Sequence, residues 1–306
     1  MKKGILIILL IFIVPYIIVN VIMKKPIEKI YDLKTDITIR VKRTKKNIIE
    51  VIPLEEYVVG VLAGEMPISF HVEALKAQAI AARTYALKRI EYNKKNTYDV
   101  VDTVDHQVYL DLDYLKVAWK DKYIENINKL RKAVFETKDE VLVYNGKIID
   151  ALYFSTSNGY TENSENVFSF EVPYLRSVES NWDRTTSPAF NSTKQITLDE
   201  FYNKLGLPYS ENFDFKVLSR AETNRILTLS VNGKVFNARE LYVKLGLRST
   251  DFEIEKKGNI LTFFTKGYGH GVGMSQYGAN GMAKEGYNYK EILLHYYYGV
   301  EIKKIK

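Results

Sequence analysis

Glu65 stands in the run Ala63-Gly64-Glu65-Met66-Pro67, where one helical pattern ends and a proline bars its continuation. Small residues before it and proline after it make an open, rigid shelf. The negative end of a helix favours the protonated carboxyl that a general acid needs. A Glu at a helix end is also an ordinary solvated residue, so its neighbours must decide. Lys76 and Arg83 lie seven apart in the next helical pattern, hence on one face with Ala79 and Ile80 between them. They read either as two cations facing a cleft and holding a polar substrate or as a solvated stripe. Gln107-Val108-Tyr109 belongs to a polar stretch that is either surface or the wall of a groove. Ser155-Thr156-Ser157-Asn158-Gly159-Tyr160 is a small, hydroxyl-rich loop suited to hydrogen-bonding sugar, although turns share its composition.

Other chemistries find little support. Gly267-Tyr268-Gly269-His270-Gly271-Val272-Gly273 is rich in glycine, but G-x-G-x-x-G fails in every frame. The third position falls on Val272, Met274 or Gln276, so no dinucleotide site is expected. Its glycines imply positive φ and close approach of a partner segment. His270, alone there, is a catalytic candidate or a hydrogen-bonded structural residue. No G-x-S-x-G and no H-E-x-x-H occur. The absence of cysteine removes disulfides, thiolate ligands and thiol nucleophiles.

The elements that must carry these residues follow from periodicity. Ile37–Val41 and Ile48–Ile52 alternate as a hairpin. Helical patterns run from Pro53 to about Met66, from a cap at Ser69 to Leu87, over Val117–Glu136 and over Lys290–Tyr298. Asn145–Gly146 and Asn232–Gly233 turn two hairpins, Val141–Tyr144 with Lys147–Tyr153 and Leu227–Val231 with Val235–Phe236. Phe-Tyr-Asn-Lys-Leu-Gly-Leu at 201–207 is echoed by Leu-Tyr-Val-Lys-Leu-Gly-Leu at 241–247, each a short helix ending at Gly before a Phe-bearing strand. A clear strand covers Ile260–Thr265, and the glycine-rich loop is expected over 267–281. Helices early and hairpins late predict an α+β fold in which a helix-rich lobe and a hairpin-rich lobe flank a cleft.

The first residues differ from the rest. Gly4–Met23 is an uncharged apolar run bracketed by Lys2–Lys3 and Lys24–Lys25, long enough to cross a bilayer core of roughly 30 Å. Its exit, Val-Ile-Met-Lys-Lys-Pro, is a poor cleavage site. The expected organisation is a tail at 1–3, an uncleaved anchor at 4–23, a stalk at 24–36 and a catalytic region at 37–306. The net charge of +7 suits an acidic polymer. No basic run is interleaved with a recognition helix or zinc pattern, which argues against nucleic acid.

Three motifs in order carry a family resemblance: Ala63-Gly64-Glu65-Met66-Pro67; Glu73-Ala74-Leu75-Lys76-Ala77-Gln78-Ala79-Ile80-Ala81-Ala82-Arg83-Thr84-Tyr85-Ala86; and Gly269-His270-Gly271-Val272-Gly273-Met274-Ser275-Gln276-Tyr277-Gly278-Ala279. Together they resemble the stage II sporulation protein D family, from about residue 36 to the end. The resemblance implies a lytic transglycosylase acting on peptidoglycan glycan strands during engulfment of the forespore. It puts Glu65 on the catalytic glutamate, and Lys76 and Arg83 on cleft positions associated with activity. Ser155, Tyr160, Gln107, Tyr109, His270 and Gln276 are then the candidates for gripping the glycan. It also implies a place in the mother-cell membrane facing the forespore, with other engulfment proteins, including a cell-wall amidase, as partners. Some relatives hold zinc through a Cys in the serine-rich loop. Here that position is Ser157 with no adjacent His, so no metal and no cofactor are expected.

One carboxylate suffices for the implied reaction. Hydrolysing glycosidases use two. A lytic transglycosylase protonates the glycosidic oxygen, then takes the proton from the muramyl C6 hydroxyl as it closes onto C1, an intramolecular attack with the advantage of proximity. The alternatives are a non-catalytic cell-wall-binding modifier of an amidase and a purely structural anchor of the engulfing membrane.

Overall fold

The computed structural model describes residues 26–305. The apolar run Gly4–Met23 lies outside the described residues. Among those described, no helix is long and apolar enough to cross a membrane.

The fold is mixed α+β, built on three hydrophobic cores where two lobes were expected. In the first, β1 (Thr38–Arg43) and β2 (Ile48–Pro53) form the expected antiparallel hairpin, Ile39 opposite Ile52. Ile39 and Val41 point inward, as a period of two requires. Pro53 then starts α1 (Leu54–Glu65), which its fixed φ favours. Tyr57, Val58, Val61 and Leu62 are buried, and the chain leaves the helix extended at Met66.

Helix α2 (Val72–Tyr92) is the spine of the molecule. Leu75, Ala79, Ala82 and Ala86 face the first core, whereas Ala74, Ala77 and Ala81 face the second. Alanine on both faces lets elements approach from both sides. The helix begins three residues beyond the expected Ser69 cap, because His71 Nδ1 accepts from the Glu73 amide at 3.3 Å instead. A short strand, β3 (Val100–Val101), then joins β1 in parallel. The helix expected over Val117–Glu136 is two, α3 (Leu112–Trp119) and α4 (Tyr123–Glu136). They are broken at Lys120, whose φ of 47° no α-helix accommodates.

The second core packs α2 against the antiparallel sheet of β4 (Glu140–Tyr144), β5 (Lys147–Ile148) and β14 (Glu301–Lys304). Asn145 and Gly146 make the expected turn with φ of 49° and 74°. The hairpin is shorter than predicted: β6 (Tyr153–Phe154) leaves it to pair in parallel with β13 (Met274–Ser275). Between them run the short helices α5 (Ser164–Phe168) and α6 (Asp183–Thr186). The glycine-rich loop ends earlier than expected, since Ser275 caps α9 (Gln276–Lys284), and α10 (Tyr289–Tyr296) follows.

The third core lies within 191–266. The sequence echo is a structural one. α7 (Leu198–Leu205) and α8 (Ala238–Leu245) both end at a left-handed glycine, Gly206 and Gly246. Each leads to a strand opened by phenylalanine, β8 (Phe215–Arg220) and β11 (Phe252–Lys257). Strands β7 (Asn191–Thr197), β9 (Ile226–Val231), β10 (Lys234–Asn237) and β12 (Ile260–Lys266) complete two three-stranded sheets.

Candidate active site

Glu65 is the last residue of α1, and a glycine face of that helix builds its surroundings. Gly60 and Gly64 are four residues apart and so lie on one face. The backbone of 108–110 lies directly on it. A Cβ at Gly64 would stand 2.3 Å from the Val108 carbonyl oxygen, and one at Gly60 would stand 2.3 Å from the Tyr109 ring. The Leu110 amide donates to Gly60 O at 3.2 Å. This docking brings the Val108 N–H to Glu65 Oε1 at 2.6 Å.

Gln107 fixes that segment from within. Its Oε1 accepts from Tyr57 OH at 3.0 Å, and its Nε2 donates to Tyr153 OH at 3.0 Å and to Ala82 O at 3.4 Å. From the opposite side Gln276, the first residue of α9, reaches Glu65 Oε2 with Nε2 at 3.5 Å. Ser275 Oγ accepts from the Gly278 amide to cap that helix and donates to Asp183 Oδ1 at 2.5 Å. Asp183 is buried. It also accepts from the Ser157 amide and Ser180 Oγ, which ties the serine-rich loop, α6 and β13 into one unit behind Gln276.

Burial raises the Glu65 pKa above the ordinary carboxylate value, outweighing the Val108 and Gln276 hydrogen bonds that pull it down. Desolvation is therefore the dominant cause of its readiness to hold a proton. Burial also raises the phenols of Tyr57, Tyr85 and Tyr153, and in all three the Glu65 charge adds to the effect. The carboxyl thus sits half-buried among three neutral phenols. Neither Glu56 nor Asp102, the other carboxylates of these segments, hydrogen-bonds to it or shares a partner with it. Glu56 faces Arg131 at 3.9 Å, and Asp102 is paired with Arg43 at 3.0 Å.

The predicted site residues divide sharply. Gln107 and Gln276 belong to the Glu65 constellation, the former as a wholly buried strut. Tyr109 is buried, stacked on Tyr57 with ring centroids 5.3 Å apart and covered by the Arg43 guanidinium. Ser155 is half-buried beside Gln276, its carbonyl accepting from the Tyr277 amide at 3.1 Å. Tyr160 is exposed, its backbone bridged to Glu179. His270 lies between the rings of Phe154 and Phe168, and its Nδ1 accepts from the Val272 amide at 3.1 Å. Burial, with Arg225 and Arg239 nearby, lowers its pKa to about 4.

Two expectations need correction. Arg83 does not face a cleft. It is fully buried, its Nε and Nη2 donating to both oxygens of Glu55 at 2.8 and 2.7 Å and its Nη1 to Glu140 O. An α2 residue seven beyond Lys76 points into the packing of α1, α2 and β4. Lys76 is held by Glu73 and Glu136 at 2.8 and 2.7 Å, a bridge from α2 to α4 with no hydrogen bond to Glu65. Sequence reasoning missed Tyr57, Tyr85, Tyr153 and the Val108 amide. The one available signal was Gly60 with Gly64, two poor helix formers spaced to clear a single face.

The family model described as "SpoIID: Stage II sporulation protein" matches residues 42–144, which contain Glu65, Gln107 and Val108. Two proteins called stage II sporulation protein D match far more of the chain. The one from Bacillus amyloliquefaciens is 43% identical over 89% of this chain and 80% of its own length. The one from Bacillus subtilis is 44% identical over 88% of this chain and 79% of its own. The chain belongs to the stage II sporulation protein D family. A protein named amidase enhancer, from Bacillus subtilis, is 32% identical over 79% of this chain but only 40% of its own length.

The zinc site of some stage II sporulation protein D relatives does not fit these residues. Ser157 Oγ donates to Ser180 O at 2.7 Å and accepts from the Gly159 amide. A hydroxyl so engaged does not replace a thiolate. Among the described residues no three His, Cys, Asp or Glu side chains are grouped to hold a metal.

Proposed function

We propose that this protein is a lytic transglycosylase that cleaves peptidoglycan glycan strands during sporulation, with Glu65 as sole acid and base. The observation that carries the reading is a carboxyl pushed toward its protonated form by burial, gripped on both oxygens and not touched by a second carboxylate. Glu65 donates its proton to the oxygen leaving the muramyl C1. The carboxylate so formed is stabilised by the Val108 N–H and Gln276 Nε2 and then removes the proton of the C6 hydroxyl as that oxygen closes onto C1. The proton given in the first step is regained in the second, so no external base or water is consumed. Hydrogen bonds to the charged form keep the carboxylate accessible despite burial. In this reading Ser155, beside Gln276, and the exposed Tyr160 grip the glycan.

The family name supports the sporulation role. The apolar run Gly4–Met23 supports a tether holding residues 37–306 against the wall outside the membrane, where an amidase is the expected partner. Mass spectrometry of digested glycan tests the chemistry. 1,6-Anhydromuramic ends without new reducing ends are expected, and Glu65→Gln should lower turnover by about 10²–10⁴, the usual worth of general acid–base catalysis by one group. New reducing ends would mean hydrolysis. Unimpaired digestion by Glu65→Gln would return the protein to the binding modifiers of an amidase.

A further inference from the structure

A second constellation of charged residues, lying apart from Glu65, is centred on Arg225. This residue precedes β9 in the tight turn closed by the Ala221 amide on Arg225 O. Its side chain is 2% exposed, and only Nη1 has a partner, Ser249 Oγ at 3.0 Å. Nε and Nη2 are buried with no hydrogen-bond partner among the described residues. These two donors share one edge of the guanidinium, the edge that receives both oxygens of a carboxylate or phosphate side by side. A buried cation left so is costly unless something completes it.

The nearby acids do not complete it. Glu162 is buried and spends its oxygens on Asn166 Nδ2, the Asn163 amide and Thr223 Oγ1. Asp251 accepts from Asn158 Nδ2 and Asn224 Nδ2. Neither comes within ion-pair distance of Arg225.

Arg225 instead lines a cavity of about 30 Å³, shared with His270, Arg239, Asn166, Tyr242 and the already hydrogen-bonded Glu162, where the glycine-rich loop meets the third core. The space admits a group of a few heavy atoms. His270 forms part of the wall, its Nδ1 accepting from the Val272 amide and its ring N–H engaged by the Tyr153 backbone. Arg239, exposed at the mouth and lying over the Phe168 ring at 5.1 Å, adds a second positive charge. Gly271 leaves room for the guanidinium: a Cβ there would come within 2.9 Å of Arg225 Nε and Cζ.

We propose that this cavity is a subsite for a small oxyanion, a carboxylate or a phosphate, gripped side-on by Arg225 Nε and Nη2 with Arg239 at its mouth. The planar fork and the small space favour the carboxylate. The proposal is independent of the glycan-cleaving reading. Its function would be to anchor an acidic group of a bound polymer at a distance from Glu65.

The test is thermal denaturation of the full chain in detergent with sodium acetate or sodium phosphate, ionic strength being held constant with sodium chloride. A ligand that binds only the folded state raises Tm with the logarithm of its concentration. The wild type is expected to respond to acetate. Arg225→Lys keeps the charge but loses the fork, and should weaken the apparent Kd about tenfold. Arg239→Ala should weaken it about threefold. Phosphate acting through the same two residues while acetate is inert would assign the site to a phosphoryl group. Should Arg225→Lys fail to fold, Arg239→Ala, at an exposed position, still decides. No shift beyond chloride with either anion, or shifts that both variants retain in full, would overturn the proposal. Glu65→Gln should keep the wild-type response, so the two readings fail separately.

Discussion

The Val108 amide donates to Glu65 Oε1 at 2.6 Å because Gly64, the residue before Glu65, has no side chain to hold Val108 away. The acid and its support are thus set by one contact between a helix end and a loop more than forty residues later in the chain. Gly64→Ala should push that loop outward. A helical Ala normally gains about 1 kcal/mol over Gly. Here the clash is with a backbone carbonyl that cannot rotate away, and overpacking of this kind costs about 1–3 kcal/mol. A lower Tm and a fall in turnover greater than the stability loss explains are expected from calorimetry and glycan digestion.

The raised pKa of Glu65 fixes the sign of a stability effect. Its folded-state pKa lies above the unfolded value, so the linked stability is fully present below the unfolded pKa and is lost as pH rises through the folded one. Glu65→Gln, neutral throughout, should match the wild type in Tm near about pH 4 and exceed it near about pH 8. Turnover by the wild type should fall on the alkaline side with a midpoint above the ordinary glutamate range. A Gln variant no more stable at the higher pH would show that burial does not govern this carboxyl.

Arg83 and Lys76 should part company under mutation. Arg83→Ala strands Glu55 without its counter-ion in the interior, and breaking a buried pair in this way costs about 3–5 kcal/mol. Lys76→Ala breaks a more exposed bridge, whose worth is about 1 kcal/mol. Denaturant unfolding of the two variants and of Glu55→Ala/Arg83→Ala measures this. The double variant should lose much less than the sum of the singles.

Activity should survive chelation. Ser157 and its surroundings offer no zinc-binding set, so dialysis against a chelator should leave turnover unchanged. Stoichiometric zinc in the purified protein, lost together with activity, would contradict this.

By itself the sequence determined what depends on local periodicity and residue type. The β1–β2 hairpin, α1 ending just before Pro67, the two Asn–Gly turns and the paired helices at 198–205 and 238–245 each follow from a few neighbouring residues. Its boundaries slipped where a side chain chose between caps, as at His71, or where a left-handed residue split a continuous pattern, as at Lys120. Only the tertiary structure decided which face of α2 meets which core. A helix with alanine on both sides carries no amphipathic mark, so Arg83 looked like a cleft cation and is a buried partner of Glu55. The phenols around Glu65, the Val108 amide and the unpaired edge of Arg225 come from segments far apart in the chain. What brings them together is close packing at glycines 64 and 271, and the distances across such contacts are set by three-dimensional fit, which no run of neighbouring residues encodes.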